Sequence, residues 1–310
     1  MDKKEEYLNE LLENPSGAQV LSDKLSQLLE DKEFYKYGLL VPIIEKLLSS
    51  GYENTVLSQF SHILQRALKD EILDIAEMIS DVPEGQDTLT NNAAQVIARL
   101  DGEDIVDFID LLSDEKKQEI FERNEYSYNL YRQGLIREST LGGIIKGDVS
   151  IFVEEIIKEV SEGKELKKIG DEGTYSDAIE TNGYVIKLGE TRDKFEIPYH
   201  PNILQPLLRE RISDKEGKDI LIVEVQDKVD TKNVTEEQRQ ELINKLKESK
   251  IKCKDILYGN IGILQKPNQR RLFDGVGGIT DHKNIKEETL KPGEPVVYDT
   301  DMIEYDDSDR

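Results

Sequence analysis

The chain has 310 residues, 37% of them apolar and 34% charged, with a formal net charge of −24. That length supports two domains of ordinary size, and the charge works against binding to nucleic acid or anionic membranes. A single cysteine excludes an intramolecular disulfide, and no run of residues approaches the ~18 apolar positions of a membrane span.

The N-terminal stretch MDKKEEYLNELLENPSG is charged throughout and lacks the apolar segment of a leader peptide. The expectation is a cytoplasmic, reducing compartment, with export by a specialised secretion system as the alternative. Residues 1–160 then read as helix after helix. In VLSDKLSQLLEDKEF, Val20, Leu21, Leu25, Leu28 and Leu29 recur at helical spacing, with Ser22 and Asp23 as candidate N-caps. YGLLVPIIEKLLSSG stops at Gly51, a helix C-terminal signal. NTVLSQFSHILQRALKD, EILDIAEMISDV, TNNAAQVIARLDG and EDIVDFIDLLSDEKKQEIFERN continue the pattern, and residues 89–112 read as one helical hairpin. Such a series predicts a helical bundle or an α-solenoid. No fixed period with signature positions stands out, so no repeat family is assigned. His62 fits a packing or surface role.

The texture changes near residue 163. Gly163, Gly170, Gly173 and Gly183 interrupt the chain, and AIETNGYVIKLG, NILQPLLRERI and KDILIVEVQDKV read as strands. One helix follows, TEEQRQELINKLKES, opened by a capping box of Thr235 and Gln238. After it come DILYGNIGIL, a long loop that includes Gln269-Arg270-Arg271, and the strand-like PVVYD. Residues 163–310 are therefore expected to form an α+β domain.

Phosphoryl transfer from a nucleotide needs a lid over the phosphates, a cation beside them, oxygen ligands for Mg²⁺ and a carboxylate that orients the attacking hydroxyl. The second half offers candidates for each, in order. Gly170 and Gly173 permit a tight turn over which Tyr175 can fold. The apolar run Tyr184-Val185-Ile186 delivers Lys187, whose ammonium needs a partner. Asp255 and Asn260 come next, and Asp299 and Asp301 follow the last strand. Asp255 and Asn260 can equally cap a turn through side-chain to backbone hydrogen bonds.

Taken together, residues 163–301 resemble a reduced protein-kinase-like domain preceded by a helical domain, as in bacterial protein-kinase-like proteins. Val185-Ile186-Lys187 resembles the strand motif that bears the phosphate-binding lysine. His200-Pro201-Asn202-Ile203 resembles the turn into the fourth strand, and DILIVEVQ, residues 219–226, the fifth strand and hinge. Cys253 to Asn260 resembles the catalytic loop, and Asp299-Thr300-Asp301 stands where the family has Asp-Phe-Gly. The resemblance implies ATP and Mg²⁺ as cofactors. It implies Asp255 as the catalytic carboxylate, with Asn260, Asp299 and Asp301 toward the metal. Lys187, Gly170, Gly173, Tyr175, Glu224 and Gln226 would then contact the nucleotide, the last two at the hinge. The expected activity is phosphotransfer to protein Ser/Thr, with the helical half recruiting a protein partner or substrate. This chain departs from the family at several points. Cys253 replaces the catalytic-loop histidine, the glycine spacing is off-pattern, and the regulatory glutamate is either Glu190 or Glu196. A full C-terminal lobe is not expected. These departures keep a second expectation open, a pseudokinase or helical-repeat scaffold that works by protein–protein interaction.

Overall fold

The computed structural model describes residues 3–31, 34–169, 176–189, 200, 202–204, 206–213, 219–253, 260–265, 292–298 and 303–305. The described residues fall into two compact units, Met1–Tyr128 with Leu141–Ser150, and Asn129–Thr140 with Ile151–Arg310. Helices come first: α1 (Lys3–Glu13), α2 (Gly17–Glu30), α3 (Leu40–Ser49), α4 (Glu53–Arg66), α5 (Ile72–Ser80), α6 (Gly85–Arg99), α7 (Gly102–Asp110), α8 (Asp114–Arg123), α9 (Glu125–Arg132), α10 (Glu138–Gly147) and α11 (Ser150–Ser161). Among the described residues no helix is long and apolar enough to cross a membrane.

The helix ends follow local chemistry, with one correction. Gly51 closes α3 in a left-handed conformation, φ 83°, which glycine adopts without steric cost. Ser22 and Asp23 do not cap α2, because that helix begins earlier, at Gly17. The turn before it is closed by Asn14, whose Oδ1 accepts from the Ser16 N–H at 3.0 Å and the Ser16 hydroxyl at 2.8 Å. A side chain on Gly17 would collide with the Leu11 carbonyl, so the corner between α1 and α2 requires glycine.

Burial in the first unit exposes a repeat that residue identities conceal. Leu40, Ile43, Ile44 and Leu47 are buried in α3; Ile72, Ile75, Ala76 and Ile79 are their counterparts in α5; Ile105, Phe108, Ile109 and Leu112 follow in and just after α7. The alternate helices carry a second set. Leu21, Leu25, Leu28 and Leu29 of α2 match Val56, Phe60, Ile63 and Leu64 of α4, and Leu89, Ala93 and Val96 of α6. Each set has the spacing of one helix face. Polar contacts tie successive hairpins at nearly constant separation. Tyr52 donates to Gln19 across 33 residues, Ser22 pairs with Thr55 across 33, and Ser61 with Gln95 across 34. Basic side chains close the ends of the preceding helices. Arg66 Nε donates to the Leu29 carbonyl at 2.6 Å, and Arg99 donates to the Leu64 and Ala67 carbonyls at 2.6 and 2.8 Å. These carbonyls have no partner within their own helices, and a cation there also suits the helix dipole. The first unit is thus a series of packed helical hairpins with a recurring burial pattern, in keeping with the helical expectation.

The second unit is built on a five-stranded antiparallel sheet of β1 (Lys167–Ile169), β2 (Ser176–Thr181), β3 (Tyr184–Gly189), β4 (Leu208–Ser213) and β5 (Asp219–Asp227), in the order β1-β2-β3-β5-β4. Asn182 and Gly183, with φ 50° and 83°, join β2 to β3 in the turn that matches strand twist. A three-stranded sheet follows from β6 (Val229–Asp230), β8 (Ile261–Leu264) and β9 (Pro295–Val297), in the order β6-β8-β9. Between β6 and β8 lie α12 (Glu236–Glu248) and β7 (Ile251–Cys253), and β7 pairs with β10 (Ile303–Tyr305). The α12 capping box forms as expected: the Gln238 N–H donates to Thr235 Oγ1 at 3.2 Å, and the Thr235 N–H donates to Gln238 Oε1 at 3.0 Å. Leu242 and Leu246 of α12 pack with Ile203, Ile251, Ile261 and Val297 in one core cluster.

Candidate functional site

The site begins with strand register. Lys187 on β3 stands directly opposite Glu224 on β5, and Glu224 stands opposite Arg209 on β4. Directly opposed residues share a face of the sheet. The three side chains therefore form one row of cation, anion, cation. The row is nearly dry, with side-chain exposures of 16%, 4% and 7% for Lys187, Glu224 and Arg209. Arg209 Nη1 donates to Glu224 Oε2 at 2.9 Å, and Lys187 Nζ lies 3.7 Å from Glu224 Oε1.

Among the described residues, the segment that follows β9 meets this row at the Tyr298 carbonyl. Lys187 Nζ donates to the Tyr298 carbonyl at 3.5 Å. The Gln226 amide, oriented by the acceptors around it, donates to the same carbonyl at 3.1 Å and to Glu224 Oε1 at 3.2 Å. Tyr298 follows β9 and precedes Asp299 in the chain. Its N–H donates to the Asn260 carbonyl at 3.1 Å, because β8 and β9 pair antiparallel immediately beyond these residues.

The His200-Asn202-Ile203 stretch supports β9 from the other side. Ile203 makes a parallel bridge to Val297, the Val297 N–H donates to the Asn202 carbonyl at 2.9 Å, and Asn202 Nδ2 donates to the Pro295 carbonyl at 3.0 Å. His200 Nδ1 accepts from the Asn202 N–H at 3.1 Å. Its other nitrogen then carries the proton and faces Ser249 Oγ at 3.1 Å. His200 is a turn residue, as its place before proline suggests.

Four of the sequence-derived candidates, Lys187, Glu224, Gln226 and Asn260, therefore gather around Tyr298. Glu224 lies inside the sheet with a paired strand on each side, and its buried carboxylate is what reaches Lys187. Gln226 contributes its side-chain amide. Asp255, Gly170, Gly173, Tyr175, Asp299 and Asp301 lie outside the described residues, as do Glu190, Glu196 and the Gln269-Arg270-Arg271 stretch. Among the described residues no three metal-ligating side chains converge. His62 is exposed on α4 and contacts Gln59 at 3.1 Å, in keeping with a surface role.

Two charged residues escaped the sequence reading. Arg209 is one. The other is Asp177 on β2, only 2% exposed. Its Oδ2 accepts from the Arg137 N–H at 2.8 Å and the Thr140 hydroxyl at 2.7 Å, while its Oδ1 accepts from Arg137 Nε at 3.2 Å and faces Lys168 Nζ at 3.7 Å. Ala178, the next residue, sits opposite Lys187, so Asp177 occupies the other face of the sheet. Its task is to hold the segment that opens α10. Neither stood out in the sequence, because Arg209 lies in LRERIS and Asp177 in SDAIET, strands that are themselves largely polar.

The donor set around Tyr298 has the chemistry to meet a phosphate group, a buried ammonium whose flanking carboxylate and amide are themselves held. No family model matches the chain, and neither a curated protein nor a solved structure does.

Proposed function

We propose that the second unit binds Mg-ATP and transfers phosphoryl groups to protein Ser/Thr in the manner of a protein kinase, while the helical hairpins recruit a protein partner or substrate. The observation that carries this reading is the position of Lys187. It projects from the third strand of the sheet and donates to the carbonyl of Tyr298, one residue before Asp299 and hydrogen-bonded to Asn260. Lys187 would meet phosphate oxygens, Asn260, Asp299 and Asp301 would hold Mg²⁺, and Asp255 would orient the acceptor hydroxyl. The bound metal supplies charge neutralisation on the transferring group. The protein's part is to fix that ammonium and to exclude water around it. The test is incubation with labelled ATP, Mg²⁺ and a generic protein acceptor. Transfer should occur and should disappear in Asp255→Ala and Asp299→Ala; transfer that survives both substitutions rules the reading out.

A second reading is supported by the packed helical hairpins and by Cys253 in place of the expected histidine. In it the chain is a scaffold whose kinase-like unit binds nucleotide without turnover. A rise in melting temperature with Mg-ATP and no transfer would favour it, since a ligand specific for the folded state stabilises that state.

A further inference from the structure

We propose that Arg209 is the positioning residue for Lys187, acting through Glu224, and that β5 supplies the carboxylate partner of this lysine. The proposal rests on the nucleotide-binding reading of the same site and adds to it residues that no motif singled out for this role. A lysine ammonium on four flexible carbons is a poor phosphate ligand unless something confines it. The confining group here is the Glu224 carboxylate, 3.7 Å from Nζ. That carboxylate is in turn fixed at both oxygens. Arg209 Nη1 holds Oε2 at 2.9 Å, and the Gln226 amide holds Oε1 at 3.2 Å.

The chain of restraint therefore runs Arg209, Glu224, Lys187 across three adjacent strands, at positions already fixed by register. The links differ in length. The Arg209 contact is a charge-assisted hydrogen bond of ordinary length, whereas the Lys187 contact exceeds hydrogen-bond distance. Glu224 is thus anchored on its Arg209 side and orients Lys187 by charge. Without Arg209, Glu224 Oε2 loses its charged donor, and the pull of the carboxylate on the Lys187 ammonium, which also meets the Tyr298 carbonyl, changes.

Two measurements on the full chain test this. The first is Mg-ATP affinity by titration calorimetry for wild type, Arg209→Met, Arg209→Lys, Lys187→Met and the Lys187→Met/Arg209→Met double variant. Arg209→Met should weaken binding about tenfold, the scale of one misplaced charge-assisted contact, and Arg209→Lys should restore part of the loss. In the Lys187→Met background Arg209→Met should have no further effect. An equal loss with and without Lys187 overturns the proposal, because Arg209 would then act directly or through the fold. The second measurement needs no nucleotide. The acylation rate of Lys187 is followed by peptide mass mapping in wild type, Arg209→Met and Arg209→Lys, with Lys228 as the internal control because it pairs with Glu180 elsewhere in the unit. Arg209→Met should change the Lys187 rate several-fold while Lys228 stays constant. An unchanged Lys187 rate, or parallel changes at both lysines, refutes positioning. Should wild type bind no Mg-ATP while the acylation result holds, the nucleotide reading fails and the Arg209–Glu224–Lys187 coupling stands.

Discussion

Replacing Asp177 by asparagine keeps its volume and removes its charge, which isolates the electrostatic work of a nearly dry carboxylate. The oxygen that serves the Arg137 N–H and the Thr140 hydroxyl can be retained. The new amide nitrogen then faces Arg137 Nε at 3.2 Å and Lys168 Nζ at 3.7 Å, setting donor against donor. Breaking a fully buried ion pair costs about 3–5 kcal/mol, but Arg137 and Lys168 keep side-chain exposures of 29% and 32% and can rehydrate, so the cost here is about 1–3 kcal/mol. For a unit of this size that corresponds to a fall in melting temperature of roughly 2–12 °C. Thermal and urea unfolding, followed by circular dichroism, would measure it. Thr140→Val is the calibrating variant, since it removes a single hydrogen bond and should cost about 1–3 kcal/mol. A destabilisation of Asp177→Asn below about 0.5 kcal/mol, the level of an ordinary surface change, would show that the carboxylate does not hold the start of α10 to the sheet.

Arg99→Met should cost about 1–3 kcal/mol in urea unfolding of the helical unit, because the Leu64 and Ala67 carbonyls lose their charged donor. Gly183→Ala should destabilise the β2–β3 hairpin by about 1–2 kcal/mol, since its φ of 83° penalises any Cβ, and hydrogen exchange across that turn would report it. Two carboxyl groups should give opposite pH slopes. Hydrogen bonds from the Asn233 side chain and then the Lys232 N–H hold Asp230 below its usual 3.8. Its stabilisation is complete above 3.8 and lost as pH falls through the lower folded value, so Asp230→Asn should flatten the acid limb of the urea midpoint curve. Burial holds Glu210 above its usual 4.5, so the folded state binds that proton more tightly. Stability should therefore decline as pH rises from 4.5 through the folded value, and Glu210→Gln should abolish that decline.

Local chemistry alone determined much of this protein. The helical spacing of apolar residues, the Gly51 stop and the Thr235–Gln238 box are short-range rules, and each is met in the fold. Ser22 and Asp23 misled because a cap residue inside a polar helix face looks the same in one dimension. The hairpin repeat was hidden for a related reason. Burial recurs at matching positions, but Leu, Ile, Val, Phe and Ala substitute for one another there, so no signature residue marks the period. Lys187 was legible as a cation needing a partner. That the partner is Glu224, that Arg209 anchors Glu224, and that Asp177 turns to the opposite face depend on strand register and sheet order. Residues far apart in the chain become neighbours only when antiparallel pairing aligns them, and a shift of one position would send each side chain to the other face. Spacing along the sequence carries no trace of that choice, so the tertiary structure alone assembled the row that the site is built on.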